Sequence, residues 1–153
     1  MSSGGPWVAE TIPDTDNLFY RVPVAWLNPK NPRIHSGVFK QHGEAMSADW
    51  DRYSSAEETR ARPTNAIRFA VVRLPVDCVR KIRGLTLKHD PIYDPDRTPP
   101  NINRAHCSVY GLEASAEIAE IGYKERVKLS LLECSGDSWE IPPGFPVSGE
   151  AVV

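Results

Sequence analysis

Ala66-Ile-Arg-Phe-Ala-Val-Val-Arg-Leu74 is the stretch that decides the fold. It is rich in β-branched and aromatic residues and closes at Pro75, so it reads as a strand. Alternation puts Ile67, Phe69 and Val71 on one face and Arg68 with Val72 on the other. Upstream, Ser54 or Ser55 is placed to cap a helix whose first turn carries Glu57 and Glu58, and Pro63 ends it. Further upstream, Leu18-Phe-Tyr-Arg-Val22 is a second strand, closed by Pro23. Between them, Asn28-Pro-Lys-Asn-Pro32 makes a turn-rich loop, and Val38 to Trp50 holds one or two short strands interrupted around His42-Gly43.

Downstream, Pro75 opens a short helix through Arg83 with Gly84 as its stop. Leu85-Thr-Leu-Lys88 and His106 to Tyr110 read as strands. The intervening His89–Arg104 carries Pro91, Pro95, Pro99 and Pro100 and reads as a long loop without regular structure. Ile118, Ile121, Leu129 and Leu132 recur at helical spacing and predict a helix over Glu113–Glu133, weakened at Gly122. The expected class is α/β or α+β: a single mixed-sheet domain with one long C-terminal helix and a Pro-rich tail. Residues 1–16 are expected to form a flexible segment and 17–134 the globular domain. The tail at 135–153 is expected to wrap the surface through Trp139 and Phe145.

At 153 residues and 41% hydrophobic, the chain suits one core without a stabilising metal. No apolar run is long enough to span a bilayer, and the start lacks the basic and apolar pattern of a secretory signal. Cys78, Cys107 and Cys134 are odd in number, widely spaced and without a C-x-x-C pair. They read as reduced thiols, and the chain as cytoplasmic. The net charge of −2 conceals a basic centre. From Arg60 to Asp90, Arg60, Arg62, Arg68, Arg73, Arg80, Lys81, Arg83 and Lys88 face only Asp77 and Asp90. Arg68, Arg73, Arg80 and Arg83 are the nucleic-acid contacts this segment would supply, unless acidic neighbours pair with them.

Several clusters carry possible chemistry. His89, Asp90, Asp94, Asp96 and His106 are hard-cation ligands by type, although Asp-Pro pairs also start ordinary turns. Cys107 follows His106, but adjacent strand residues face opposite ways, so a base for Cys107 would have to come from elsewhere in the fold, such as His35 or His42. Asn101, Asn103 and His106 form a polar set able to hold a ligand or to tie down their own loop. Arg21, in the middle of an aromatic strand, reads equally as an anion contact or as an outward-facing residue. No Gly-rich phosphate loop, His-Glu-x-x-His or Gly-x-Ser-x-Gly is present.

Tyr20-Arg-Val-Pro23, Phe39, Met46-Ser-Ala-Asp49, Ser55-Ala-Glu-Glu-Thr59 and Asn103-Arg-Ala-His106 with Gly111 resemble, in this order, a family of small uncharacterised bacterial proteins. That family has an Arg-Ile-Pro-like start, Ser-x-Asp, Glu-Glu-Thr and Asn-Pro-x-His elements; Arg104 stands here in place of the last proline. The resemblance implies a bacterial protein encoded near multi-gene systems and no particular activity. A second likeness, to the ADP-ribosyl-transfer and NAD-cleaving fold, rests on Arg21, Ser47 and Glu57 or Glu58 in that order. It implies Arg21 on a pyrophosphate, Ser47 on a ribose and the glutamate on an oxocarbenium ion. The first expectation is a non-catalytic interaction or accessory module with a protein partner, in a bacterial defence or toxin-related system. One alternative is an NAD-processing enzyme using Arg21, Ser47, Glu57 and His106. Another is a nucleic-acid-binding subunit using the basic segment. No cofactor, metal or membrane is assigned.

Overall fold

The computed structural model describes residues 5–63, 65–113 and 122–144. Its strands are β1 (Asn17–Pro23), β2 (Ala45–Trp50), β3 (Phe69–Pro75), β4 (Thr86–His89), β5 (Ile92–Asp94), β6 (Asn101–Asn103), β7 (His106–Tyr110) and β8 (Trp139–Ile141). Its α-helices are α1 (Ala56–Ala61), α2 (Val76–Arg80) and α3 (Tyr123–Ser135). Six strands form one sheet in the order β4-β7-β2-β1-β3-β8, while β5 and β6 form a separate hairpin. Every pairing is antiparallel, so of the two expected classes α+β is the one realised.

The central strand β1 alternates cleanly. Leu18, Tyr20 and Val22 enter the hydrophobic core, and Phe19, Arg21 and Pro23 face the other way. The core face also receives Met46, Ala48 and Trp50 from β2, Val72 and Leu74 from β3, and Cys107 and Val109 from β7. Val76 and Val79 of α2 and Val127 and Leu131 of α3 close over it. The opposite face carries Ser47, Asp49 and His106 and is covered in part by α1 and the β5–β6 hairpin.

Local chemistry explains the short elements. In α1, Ser55 Oγ accepts from the Glu58 N–H at 3.0 Å while Glu58 Oε1 accepts from the Ser55 N–H at 2.8 Å, a reciprocal capping box. The bond from Ser55 holds the Glu58 carboxyl below its ordinary pKa. Gly111 has φ of 104°, and a side chain there would run into the carbonyl of Gly84, which explains glycine at the end of β7.

Several expectations are corrected. The strand within Ala66–Leu74 begins only at Phe69; Ala66–Arg68 form a 3₁₀ turn that leaves Ile67 56% exposed. The 89–104 segment is not structureless, because Ile92–Asp94 pairs with Asn101–Asn103. Gly122 does not lie inside a helix: its φ of 80° is left-handed, and α3 starts after it. The inward stripe of α3 is Val127, Leu131 and Cys134, and Leu129 is 53% exposed. Ile118, Ile121 and the rest of positions 114–121 of the expected Glu113–Glu133 helix lie outside the described residues, as does Phe145. Within the expected flexible segment, Ile12 is 1% exposed, and the Glu10 N–H donates to His89 Nδ1 at 3.0 Å. Trp139 lies in a sheet strand rather than a surface wrap, and its Nε1–H donates to Pro32 O at 3.0 Å.

The cysteines are corrected as well. Cys78 on α2 and Cys134 on α3 form a disulfide with Cα atoms 5.6 Å apart, within the usual range for the bond. The reading of three reduced thiols therefore fails, because a separation of 56 positions gives no sequence signature of the pair. Among the described residues, no helix is long and apolar enough to cross a membrane.

Candidate functional site

Two clefts meet on the sheet face opposite the core. One, of about 240 Å³, is lined by Tyr20, Arg21, Trp26, His42, Ser47 and Phe69 among others. The second, of about 310 Å³, is lined by Arg21, Ser47, Arg62, Asn101, Asn103 and His106 with Pro63 and Ile92. Arg21 and Ser47 belong to both and form the wall between them. The β1–β2 register explains how they meet: Leu18 pairs with Trp50 and Phe19 with Asp49, and continuing that count brings Arg21 level with Ser47.

Beneath the clefts lies a buried polar knot. Asp49 is 4% exposed, and its Oδ1 accepts from Asn103 Nδ2 at 2.8 Å. Its Oδ2 accepts from Thr59 Oγ1 and from Arg62 Nε, each at 2.8 Å. Arg62 Nη2 also donates to Ser54 Oγ at 2.9 Å. One carboxylate thus joins β2, α1 with its C-cap Arg62, and β6. Among the described residues, no buried side-chain polar atom lacks a partner. The knot is therefore a support for the site's walls rather than an open ligand site.

Arg21 differs. Its Nη1 donates to the Thr59 carbonyl at 3.0 Å, and its guanidinium carbon sits 5.6 Å from the centre of the Phe69 ring. Among the described residues it makes no ion pair, since Asp49 is already engaged by Arg62. Burial lowers its pKa from the ordinary arginine value, and the field of Asp49 partly offsets this. It stays charged, because a guanidinium is not deprotonated in proteins. Next to it, Ser47 is exposed between buried Met46 and Ala48, and its Oγ lies 3.1 Å from His106 Nε2. His106 Nδ1 lies 2.8 Å from the Asp90 carbonyl oxygen.

The structure thus brings Arg21, Ser47 and His106 together and leaves Glu57 out, exposed on α1 and lining neither cleft. Glu58 is occupied by its capping box. Asp49, Thr59 and Arg62 support this site, and sequence reasoning gave none of them a role; a carboxylate between Ala48 and Trp50 in an apolar strand was the available signal. Four separate stretches, 20–23, 46–49, 55–59 and 103–106, converge here, contributing Arg21, Ser47, Asp49, Thr59, Asn103 and His106.

Other candidates have structural uses. His89 is buried, and its two ring nitrogens engage the Glu10 N–H and, at 2.7 Å, the Arg104 carbonyl. Among the described residues, no group of three His, Cys, Asp or Glu is arranged to hold a metal. Cys107 is buried on the core face with its thiol bonded to Ala105 O at 3.3 Å, and desolvation pushes its pKa well up. Both features make it inert rather than nucleophilic.

The basic segment is dispersed. Arg73 donates to Asn17 Oδ1 at 3.1 Å and pairs with Glu140 at 3.5 Å, while Arg80 pairs with Asp14 at 2.7 Å and bonds the Ile12 carbonyl. Arg68 borders an apolar hollow of about 610 Å³ with Ile67 and Phe69. Arg83 lies beside the disulfide. Duplex DNA is accordingly expected to bind no more tightly than the roughly 10⁻⁴–10⁻⁶ M of non-specific contacts at physiological salt. Fluorescence anisotropy checks this, and nanomolar binding abolished by charge reversal at Arg68 and Arg83 would establish the segment as an interface.

Comparison with protein-family models, curated proteins and solved structures returned no match for this chain.

Proposed function

We propose that this chain is a binding module whose double cleft captures an anionic group, a carboxylate or phosphate, borne by a partner. The observation that carries this reading is Arg21: a half-buried cation without an ion pair among the described residues, at the shared wall of two clefts. A partly desolvated charge is costly unless it is compensated, and the flat guanidinium fork matches carboxylate and phosphate oxygens. Neutral polar side chains, Ser47 and Asn101, line the same space. This keeps the interaction-module expectation and moves its surface from the tail to the sheet face, where the β5–β6 hairpin of the proline-rich loop supplies one wall. The NAD-processing alternative draws support from Arg21 beside Ser47 and loses it at the acid, since Glu57 lies away from both clefts.

The test is a thermal and calorimetric titration with inorganic phosphate, acetate, ADP-ribose, NAD and acidic or phosphorylated peptides. At least one should raise the unfolding midpoint, with a stabilisation of about 2.7 kcal/mol when its concentration reaches a hundredfold its Kd. Arg21→Gln should weaken that binding roughly 10- to 100-fold, the worth of one charged hydrogen-bonding group. Arg21→Lys, which retains charge but not the fork, should fall between. An unchanged affinity in Arg21→Gln would remove the proposal, as would no response to the whole series. Consumption of NAD would favour the enzyme alternative instead.

A further inference from the structure

We infer that Ser47 is a nucleophile activated by His106, so that the cleft performs acyl transfer on an ester or thioester whose remote anionic group rests on Arg21. The inference builds on the anion reading of the same cleft and adds a reaction to it. Hydrogen-bond polarity is its foundation. The atom opposite His106 Nδ1, at 2.8 Å, is a backbone carbonyl oxygen of Asp90, which only accepts. Nδ1 therefore carries the ring proton, and in the neutral imidazole Nε2 presents its lone pair. The group at Nε2 is Ser47 Oγ, 3.1 Å away, and its hydroxyl must then donate to the ring. A general base poised to deprotonate a serine needs this tautomer and this direction.

The arrangement rests on strands rather than on loose loops. His106 opens β7, and Ser47 lies on β2 two residues from Asp49, the cross-strand partner of His106. The two side chains are thus diagonal neighbours on one face. The orienting residue is itself held twice: the Asp90 N–H donates to His106 O at 2.9 Å, and Asp90 Oδ2 accepts from Ser108 Oγ at 3.0 Å. A backbone carbonyl takes the part that an aspartate carboxylate plays in a full triad. Ser47 is exposed and lines both clefts, so a substrate reaches it from either side. It sits on a strand and not on a Gly-x-Ser-x-Gly elbow, so the sequence offered it as a ribose contact and not as a nucleophile.

The chemistry balances without a cofactor. Ser47 Oγ bonds to the acyl carbon as its proton passes to His106 Nε2. The carbon–oxygen or carbon–sulfur bond to the leaving group breaks, and the leaving group takes that proton. Water then attacks the acyl-serine, giving its proton to Nε2, and Ser47 recovers a proton as the acid departs. The Asn101 amide lines the cleft where negative charge gathers on the carbonyl oxygen, while Arg21 holds the substrate's own anionic group.

The experiment uses the full chain with a fluorophosphonate probe, read by intact mass and peptide mapping. The expected result is one adduct on Ser47, absent from Ser47→Ala and formed at least about 100-fold more slowly in His106→Ala and His106→Gln. Saturating inorganic phosphate should slow labelling of the unaltered protein. Matching unfolding midpoints confirm that the variants are folded. Labelling that ignores His106, or that falls on another serine, overturns the inference, as does no labelling at all. Phosphate binding with an unreactive Ser47 would refute the nucleophile and leave the anion reading standing. Ser47 labelling without phosphate protection would uphold the nucleophile and refute the anion reading.

Discussion

Reduction of the Cys78–Cys134 bond is expected to lower the stability of this chain by about 4 kcal/mol, the chain-entropy value for a cross-link spanning 56 positions. The bond joins α2 to α3, the two helices that close the core face through Val76, Val79, Val127 and Leu131. Between its ends lie β4, β7 and the β5–β6 hairpin, so cutting it frees a large part of the sheet in the unfolded chain. Guanidinium unfolding with and without a phosphine reductant measures the difference, and Cys78→Ser/Cys134→Ser should reproduce the reduced curve. Coincident curves would show that the bond contributes nothing. The bond also removes the cysteine argument for a cytoplasmic setting, since disulfides persist mainly in oxidising compartments.

The parts of the fold visible in the sequence are those whose signals are local. β1 and β3 show as aromatic and β-branched runs closed by Pro23 and Pro75. α1 shows through Ser55 and Glu58, three residues apart, with Pro63 beyond it. The β5–β6 hairpin is hidden because its strands have three residues each and prolines at 91, 95, 99 and 100 mask them. The disulfide is hidden for a different reason: its partners are brought together only by packing of two helices on one sheet.

The site was legible in pieces. Arg21, Ser47 and His106 could each be selected by residue type, but their meeting depends on the β1–β2 and β2–β7 registers. Glu57 was selected by order along the chain, and helical geometry turns it outward while Thr59 faces in. The Ser47–His106 polarity depends on the Asp90 carbonyl, a backbone atom for which no residue type is a signal.

Loss of the Asp49 carboxylate should be the most damaging single change at the site, although Asp49 lines neither cleft. Asp49→Ala is expected to cost about 3 kcal/mol, because it strands one partly buried cation and two buried donors together. Arg62 would keep only its bond to Ser54, Thr59 at 1% exposure would lose its carboxylate acceptor, and Asn103 Nδ2 would face the gap. The effect should extend to function. Thr59 belongs to α1, whose carbonyl holds Arg21, and Asn103 belongs to β6, which forms a wall of the second cleft. Loosening both elements should weaken anion binding at Arg21 as well as stability. Denaturant unfolding and the phosphate titration, run on the same preparations, separate the two consequences. A double-mutant cycle with Arg62→Ala should give a coupling well above 0.5 kcal/mol, since the two groups share one bond at 2.8 Å. If Asp49→Ala instead unfolds within about 0.5 kcal/mol of the unaltered chain, the knot does not hold the cleft walls, and the site must be positioned by the sheet alone.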